Sequence, residues 1–228
     1  MKIQYKHQGF QVEAAQAVVD VFRGQPLQEG FAYRRDRGRQ PAQEGLMPQK
    51  LVGLEIEGFR NGEIQLTDQA LMNNVREVQL RQELEPIGKL QRDDHGMLAL
   101  SIEMETGTGK TYTYIKTMYE LHKHYGWTKF IIVVPSVAIR EGVLKSLAST
   151  ADHFAEQYGE RMQYFIYDSA NLTAIDQFAS DAKIQVMVIN TQAFNATGKD
   201  AAPMAPRRLG IMTLNMTVDH GEIGRAHV

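Results

Sequence analysis

Apolar residues recur at helical spacing over residues 11–23, where Val12, Ala15, Val18, Val19 and Phe22 share one face and Gly24 and Pro26 end the segment. A second helical pattern runs from Thr67 to about Leu84, with Leu71, Val75 and Val78 on one side. Between them, residues 27–49 are polar and punctuated by Gly and Pro, which predicts a loop. Leu51–Ile56 and Glu63–Leu66 read as two short strands about Asn61-Gly62, a hairpin signal.

From Met97 onward the period alternates. An apolar run, Met97–Ile102, predicts a strand, and a helix follows from Thr111 with Ile115, Met118, Leu121 and Tyr125 inward and Gly126 at its end. Lys129–Pro135 is continuously apolar and rich in β-branched residues, as expected of a strand buried on both faces of a parallel sheet. Ser136 is placed to cap a helix over Val137–Leu147, and residues 150–159 predict another short helix. Met162–Tyr167 and Ile184–Asn190 predict two more strands, with helical spacing between about 170 and 181. Strands alternating with helices imply a parallel, doubly wound α/β sheet. Right-handed crossovers then place the loops after its strands on one edge.

Composition narrows the class only a little. The chain has 228 residues, 43% hydrophobic and 23% charged, which is long enough and apolar enough for a packed core. A net charge of −2 excludes a general basic field, so any nucleic-acid contact must come from local patches. With no cysteine, disulfides and thiolate metal sites are excluded, which suits a reducing compartment. No apolar run approaches a membrane span and the first residues lack a signal core, so a cytoplasmic protein with no membrane partner is expected.

Chemistry concentrates in the turn after Ile102. Met104-Glu105-Thr106-Gly107-Thr108-Gly109-Lys110-Thr111 lies between the predicted strand and helix, the context a phosphate-binding loop requires. Gly107 and Gly109 can take positive φ, so that successive N–H groups converge on a phosphate. The following helix adds its unpaired N–H groups and the positive end of its dipole. Lys110 supplies a full charge for the β- and γ-phosphates of ATP, and the Thr111 hydroxyl is placed to hold Mg²⁺. The pattern's usual first Gly is Met104 here. Gln11, just after Phe10, is either a solvated or capping residue or an amide that donates to and accepts from an adenine edge. Arg34, Arg35, Arg37 and Arg39 either clasp phosphates or decorate a solvated loop. His122 and His124, two apart, point to different helix faces and cannot share a metal.

Glu103–Tyr112, then Lys129–Val143, and finally Val188–Asn195 closely resemble the restriction (Res) subunit of type III restriction–modification enzymes, a superfamily 2 helicase-like ATPase. The resemblance runs from about residue 9 to 200. It implies a RecA-like first helicase lobe, incomplete, with an N-terminal α+β insertion. It also implies that Gln11 reads adenine and that Thr106, Gly107, Thr108, Gly109, Lys110 and Thr111 hold ATP, Thr111 taking Mg²⁺. Ser136 and Arg140 fall in a motif that grips the DNA backbone, and Asn190 and Thr191 in a later DNA-contacting motif. The residues themselves leave Ser136 open between phosphate contact and plain cap. The implied partners are double-stranded DNA and the methyltransferase (Mod) subunit of the same system.

Hydrolysis needs an acidic pair at the end of another apolar strand. The candidate, Val218-Asp219-His220-Gly221-Glu222, has separated acids, and Leu214–Thr217 before it is not an apolar strand pattern. Glu222–Val228 reads like a translated sequencing adapter, so a longer native reading frame is expected. The expected organisation is an N-terminal helix over 1–26, an inserted α+β element over 27–93, a partial ATPase lobe over 94–200, and a non-native or disordered tail over 201–228. The rival readings are another superfamily 2 DNA helicase or translocase, and a non-catalytic module that binds DNA or a methyltransferase.

Overall fold

A computed structural model describes residues 5–6, 8–28, 31–34, 57–93, 96–168, 172–191 and 213–217. Helix α1, Gly9–Val21, is dense in Ala and Val and buries Ala14, Ala15, Val18 and Val19. Of the expected face, Ala15, Val18, Val19 and Phe22 are buried and Val12 is not. Val12 is 39% exposed and the neighbouring Gln11 is turned inward. Helix α2, Asp68–Arg81, starts on a Thr67 cap whose hydroxyl accepts from the Ala70 N–H at 3.2 Å. Leu71, Val75 and Val78 are buried as the spacing predicts. Between α1 and α2, the Asn74 amide donates to the Val21 and Arg23 carbonyls at 3.0 and 2.9 Å, satisfying oxygens that the end of α1 leaves unpaired.

The expected hairpin is not what forms. Strand β1, Phe31–Arg34, lies in the stretch read as loop and pairs antiparallel with β2, Glu57–Arg60. Residues 63–66 are not a strand, and 51–56 fall outside the described residues. Asn61, read as a turn residue, acts as a clamp. Its Oδ1 accepts from the Thr128 and Lys129 N–H groups, both at 2.8 Å, and its Nδ2 donates to the Lys129 carbonyl at 2.7 Å. A side-chain amide carries the same donor and acceptor as a peptide, so it can stand in for a neighbouring strand. Gln25 does likewise for residues 63 and 65, donating to the Glu63 carbonyl and accepting from the Gln65 N–H.

The remaining elements follow the predicted alternation: β3, Ala99–Glu103; α3, Lys110–Tyr125; β4, Lys129–Val134; α4, Val137–Tyr158; β5, Gln163–Ile166; α5, Leu172–Ser180; and β6, Gln185–Asn190. Gly126, at φ 72°, ends α3 with its N–H on the His122 carbonyl at 2.8 Å. The two helices expected over 137–159 are one. Ser149 and Thr150 do not break it, because both hydroxyls donate back to the Ser146 carbonyl, and Gly159 at φ 75° closes it instead.

Apart from the antiparallel β1–β2 pair, the strands pair in parallel, in two further sheets. The first is three-stranded in the order β4–β6–β5, with Val134 opposite Asn190 and Ile166 opposite Val188. The second pairs β3 with β7, Thr213–Thr217, in the register Ala99 to Thr213 through Glu103 to Thr217. A strand therefore forms within 201–228, the stretch expected to be a non-native or disordered tail, where sequence pattern showed no apolar strand. One face of the three-stranded sheet packs on α3 and α4 through Val134, Val186 and Val188. On the other, Phe165 meets Phe178 of α5 at 5.7 Å. Val133 stays 50% exposed, so β4 is not buried on both faces; it lies at the end of the strand order. Helix α3 ties the molecule together, giving Leu121 and Tyr125 to a core with α1 and α2, and Ile115, Met118 and Tyr119 to a core with α4 and the sheet.

Candidate nucleotide site

The Gly-rich turn joins β3 directly to α3. Met104, at the position where the pattern usually has Gly, is 1% exposed and belongs to the core shared with α1, so its side chain serves packing. Gly107 and Gly109 stand at φ 84° and 87°. That region costs an L residue strain and glycine very little. An added Cβ on Gly107 would meet nothing within 4 Å, whereas one on Gly109 would lie 2.4 Å from the Gln11 Nε2. The turn is thus open above Gly107 and closed beside Gly109 by Gln11.

Three further bonds hold the turn's shape. Thr108 Oγ1 donates to the Glu105 carbonyl at 2.6 Å, and the Thr113 N–H donates to the Gly109 carbonyl at 3.0 Å, opening the helix ladder. Gln11 Nε2 donates to the Thr108 carbonyl at 2.7 Å. Gln11 is 8% exposed, and beyond that bond its amide has a second N–H and a carbonyl oxygen. Gly109 caps α3 without a side chain, so no side-chain oxygen competes for the N–H groups of the first turn. Lys110 Nζ donates to the Met104 and Glu105 carbonyls, both at 3.0 Å, and so sits over the turn that it would share with an anion. Thr106 is exposed and Thr111 is half-buried at the helix start. A lysine ammonium, a helix start and a threonine hydroxyl thus follow one another directly after the two glycines. That donor set fits a nucleotide's phosphates with a divalent cation.

Aromatic side chains back this turn, and sequence reading had missed them. The Tyr112 hydroxyl pairs with His153 Nε2 at 2.9 Å, and the Tyr5 ring stacks on Tyr112 at 5.8 Å while its hydroxyl donates to Ser149 Oγ at 3.1 Å. Burial raises the Tyr112 phenol above its ordinary value and pushes Tyr114 up to about 12, the neighbouring Thr111 hydroxyl acting the other way. Tyr114 follows Thr111 by three residues on α3, and that spacing is the signal that would have found it.

The residues implied in DNA contact form a separate group. Ser136 is exposed, and its Oγ accepts from the Ile139 N–H at 3.3 Å, so it does cap α4. Arg140 turns its Nε and Nη2 to Glu141 Oε1 at 3.2 and 3.0 Å. Asn190 ends β6 with a buried Oδ1 that has no hydrogen-bond partner among the described residues, and Thr191 is exposed just beyond it. The register of Val134 with Asn190 brings the ends of β4 and β6 side by side. The Gly-rich turn follows β3, which pairs in the other sheet, so strand pairing itself joins only the ends of β4 and β6. Arg35, Arg37 and Arg39 lie outside the described residues, as do Asp219 and Glu222. His122 and His124 make separate contacts, to Glu160 and Glu120, and no metal-binding group of three ligands occurs among the described residues.

A Gly-rich turn between a parallel strand and a helix, with lysine and threonine opening that helix, defines an α/β protein of the helicase-like RecA type. The chain belongs to the family of the type III restriction enzyme res subunit, whose model matches residues 64–208, well over half of its length. It is 37% identical over 126 residues to the type III restriction-modification enzyme EcoP15I Res subunit of Escherichia coli, covering 54% of this chain and 13% of that one. It is 38% identical over 112 residues to the EcoPI Res subunit of Escherichia phage P1, covering 48% and 11%. To the StyLTI Res subunit of Salmonella typhimurium it is 36% identical over 129 residues, covering 49% and 13%. The chain thus spans about one-eighth of the length of the curated relatives it matches. The family match extends to residue 208, past the point near Ala201 where the resemblance was expected to stop. It begins after α1, so Gln11 is tied to the site by its bond to Thr108 alone.

Proposed function

We propose that this chain is the ATP-binding part of a type III restriction enzyme Res subunit. The observation that carries the reading is the turn itself: two left-handed glycines, a helix start without a side-chain cap, and Lys110 and Thr111 as the first residues of that helix. In this reading Thr106–Thr111 receive the phosphates through their N–H groups and the Lys110 ammonium. Thr111 takes a place in the shell of Mg²⁺, which neutralises phosphate charge when bound. Gln11 reads adenine with the N–H and carbonyl oxygen not spent on Thr108. Ser136, Arg140, Asn190 and Thr191 touch the backbone of double-stranded DNA beyond the ends of β4 and β6.

The longer protein would couple ATP to movement or switching along duplex DNA and to double-strand cleavage, acting with a Mod methyltransferase in the cytoplasm. No helix among the described residues is long and apolar enough to cross a membrane. The 228-residue chain itself binds ATP without hydrolysing it, since its sequence contains no Asp-Glu pair to hold the cation and orient water. Thermal unfolding with millimolar Mg-ATP tests the reading. At about 100 times the dissociation constant a ligand adds roughly 2.7 kcal/mol, so Tm must rise in the wild type and not in Lys110→Ala. A wild type indifferent to Mg-ATP would instead favour a non-catalytic binding module. DNA-stimulated phosphate release that Lys110→Ala abolishes would overturn the statement on hydrolysis.

A further inference from the structure

We infer that Tyr114 is a positioning residue for the Thr111 hydroxyl, so that the pair, and not Thr111 alone, sets how a divalent cation is held at the start of α3. The inference rests on the ATP reading above.

Thr111 and Tyr114 lie three apart on α3, the spacing that places side chains on one helix face. Ile115 and Met118 continue that face into the core between α3, α4 and the sheet, and the Tyr114 ring packs against the same core. Helical side chains lean toward the N-terminus, so the tyrosine reaches back toward the turn that carries Thr111. Its phenol oxygen is shielded from solvent and has no hydrogen-bond partner among the described residues, and the Thr111 hydroxyl lies one turn back on the same face. Native proteins leave few buried hydroxyls in that condition.

A threonine hydroxyl has one proton and two lone pairs. When a lone pair serves a cation, the proton must turn to an acceptor elsewhere. The Tyr114 oxygen is an acceptor within reach, one turn along the helix, that lacks a full partner. Orienting Thr111 for the cation and satisfying the buried phenol are then the same event.

The test uses the 228-residue chain. ATP affinity is measured first in EDTA; then the Mg²⁺ concentration that half-saturates the ATP-dependent thermal shift is read for wild type, Tyr114→Phe, Thr111→Val and the double variant. Tyr114→Phe should leave the EDTA affinity unchanged and raise the half-saturating Mg²⁺ about fivefold, the size of one neutral hydrogen bond. In the Thr111→Val background it should add nothing. An unchanged Mg²⁺ requirement overturns the inference. So does an equal loss of affinity in EDTA, which marks a packing role, or an effect that survives Thr111→Val. Tyr114→Leu is read by the same criteria if the phenylalanine variant does not fold. A wild type that binds no ATP removes the ATP reading and this inference together, whereas the other outcomes touch only Tyr114.

Discussion

Replacing Gly109 by alanine loads the turn twice, and Gly107 provides the control. Both glycines hold φ near 85°, at 84° and 87°, so alanine at either meets backbone strain of about 1–2 kcal/mol. Part of that is offset because alanine also restricts the unfolded chain, by about 0.4–1 kcal/mol. The Cβ at position 107 would stand in open space, so the net loss there is about 1 kcal/mol. At position 109 it would come within 2.4 Å of Gln11 Nε2 and displace that amide from the Thr108 carbonyl. One hydrogen bond lost adds about 0.5–1.5 kcal/mol, so Gly109→Ala should cost about 2 kcal/mol. Urea unfolding of both variants, each in wild-type and Gln11→Ala backgrounds, measures the excess directly. It should vanish once Gln11 is gone. Equal losses at the two glycines, or an excess that persists without Gln11, would refute the claim that Gln11 braces the loop.

Other predictions concern the supports of the site. Lys129 is 8% exposed, and burial lowers its ammonium from 10.5 to about 8, with Asp181 opposing the shift. Below pH 8 the group is charged in both states and its burial destabilises the fold. Between 8 and 10.5 the unfolded chain holds more protons, so stability should rise with pH, by on the order of 3 kcal/mol at most. Above pH 10 the buried phenols, whose ionisation is raised, oppose folding, so urea midpoints should be compared from pH 8 to 10; Lys129→Met should flatten the slope. Tyr158 donates to Glu120 at 2.6 Å and accepts from Lys116 at 2.7 Å, while Lys116 also reaches Glu120 at 2.9 Å. Burial works to raise the Glu120 carboxyl, but the bonds from Tyr158 and Lys116 outweigh it and hold the group low. Tyr158→Phe should cost about 2 kcal/mol in chemical unfolding, as expected for bonds to charged partners, and a loss below 0.5 would refute the network. Asn61→Ala, which unpairs the start of β4, should cost about 2 kcal/mol, while Asn61→Asp keeps only the acceptor and should recover part of it.

The regular elements were legible where one periodicity dominated. Residues 185–190 and 110–125 have strong patterns, β-branched in one case and helical in the other, and both formed as the spacing predicts. The Gly-rich turn between strand and helix was legible because the positive φ of Gly107 and Gly109 follows from local backbone demands. What pattern could not show were long-range substitutions of side chain for backbone. Asn61-Gly62 has the composition of a hairpin turn, yet its amide bonds to residues 128 and 129, a pairing with no local signature. Gln11 escaped the apolar stripe for the same reason: it turns inward because Thr108 offers it a carbonyl, while Val12 turns out. Strand β7 lacks an apolar pattern and forms beside β3 through backbone pairing, which composition does not record.

Calorimetric titration of ATP with Mg²⁺ into the wild-type chain and into Lys110→Ala is the most direct test of the nucleotide assignment. The account predicts one saturable site in the wild type, heat lost on replacing Lys110, and competition by ADP. Equal binding by the two proteins, or none by either, would contradict it.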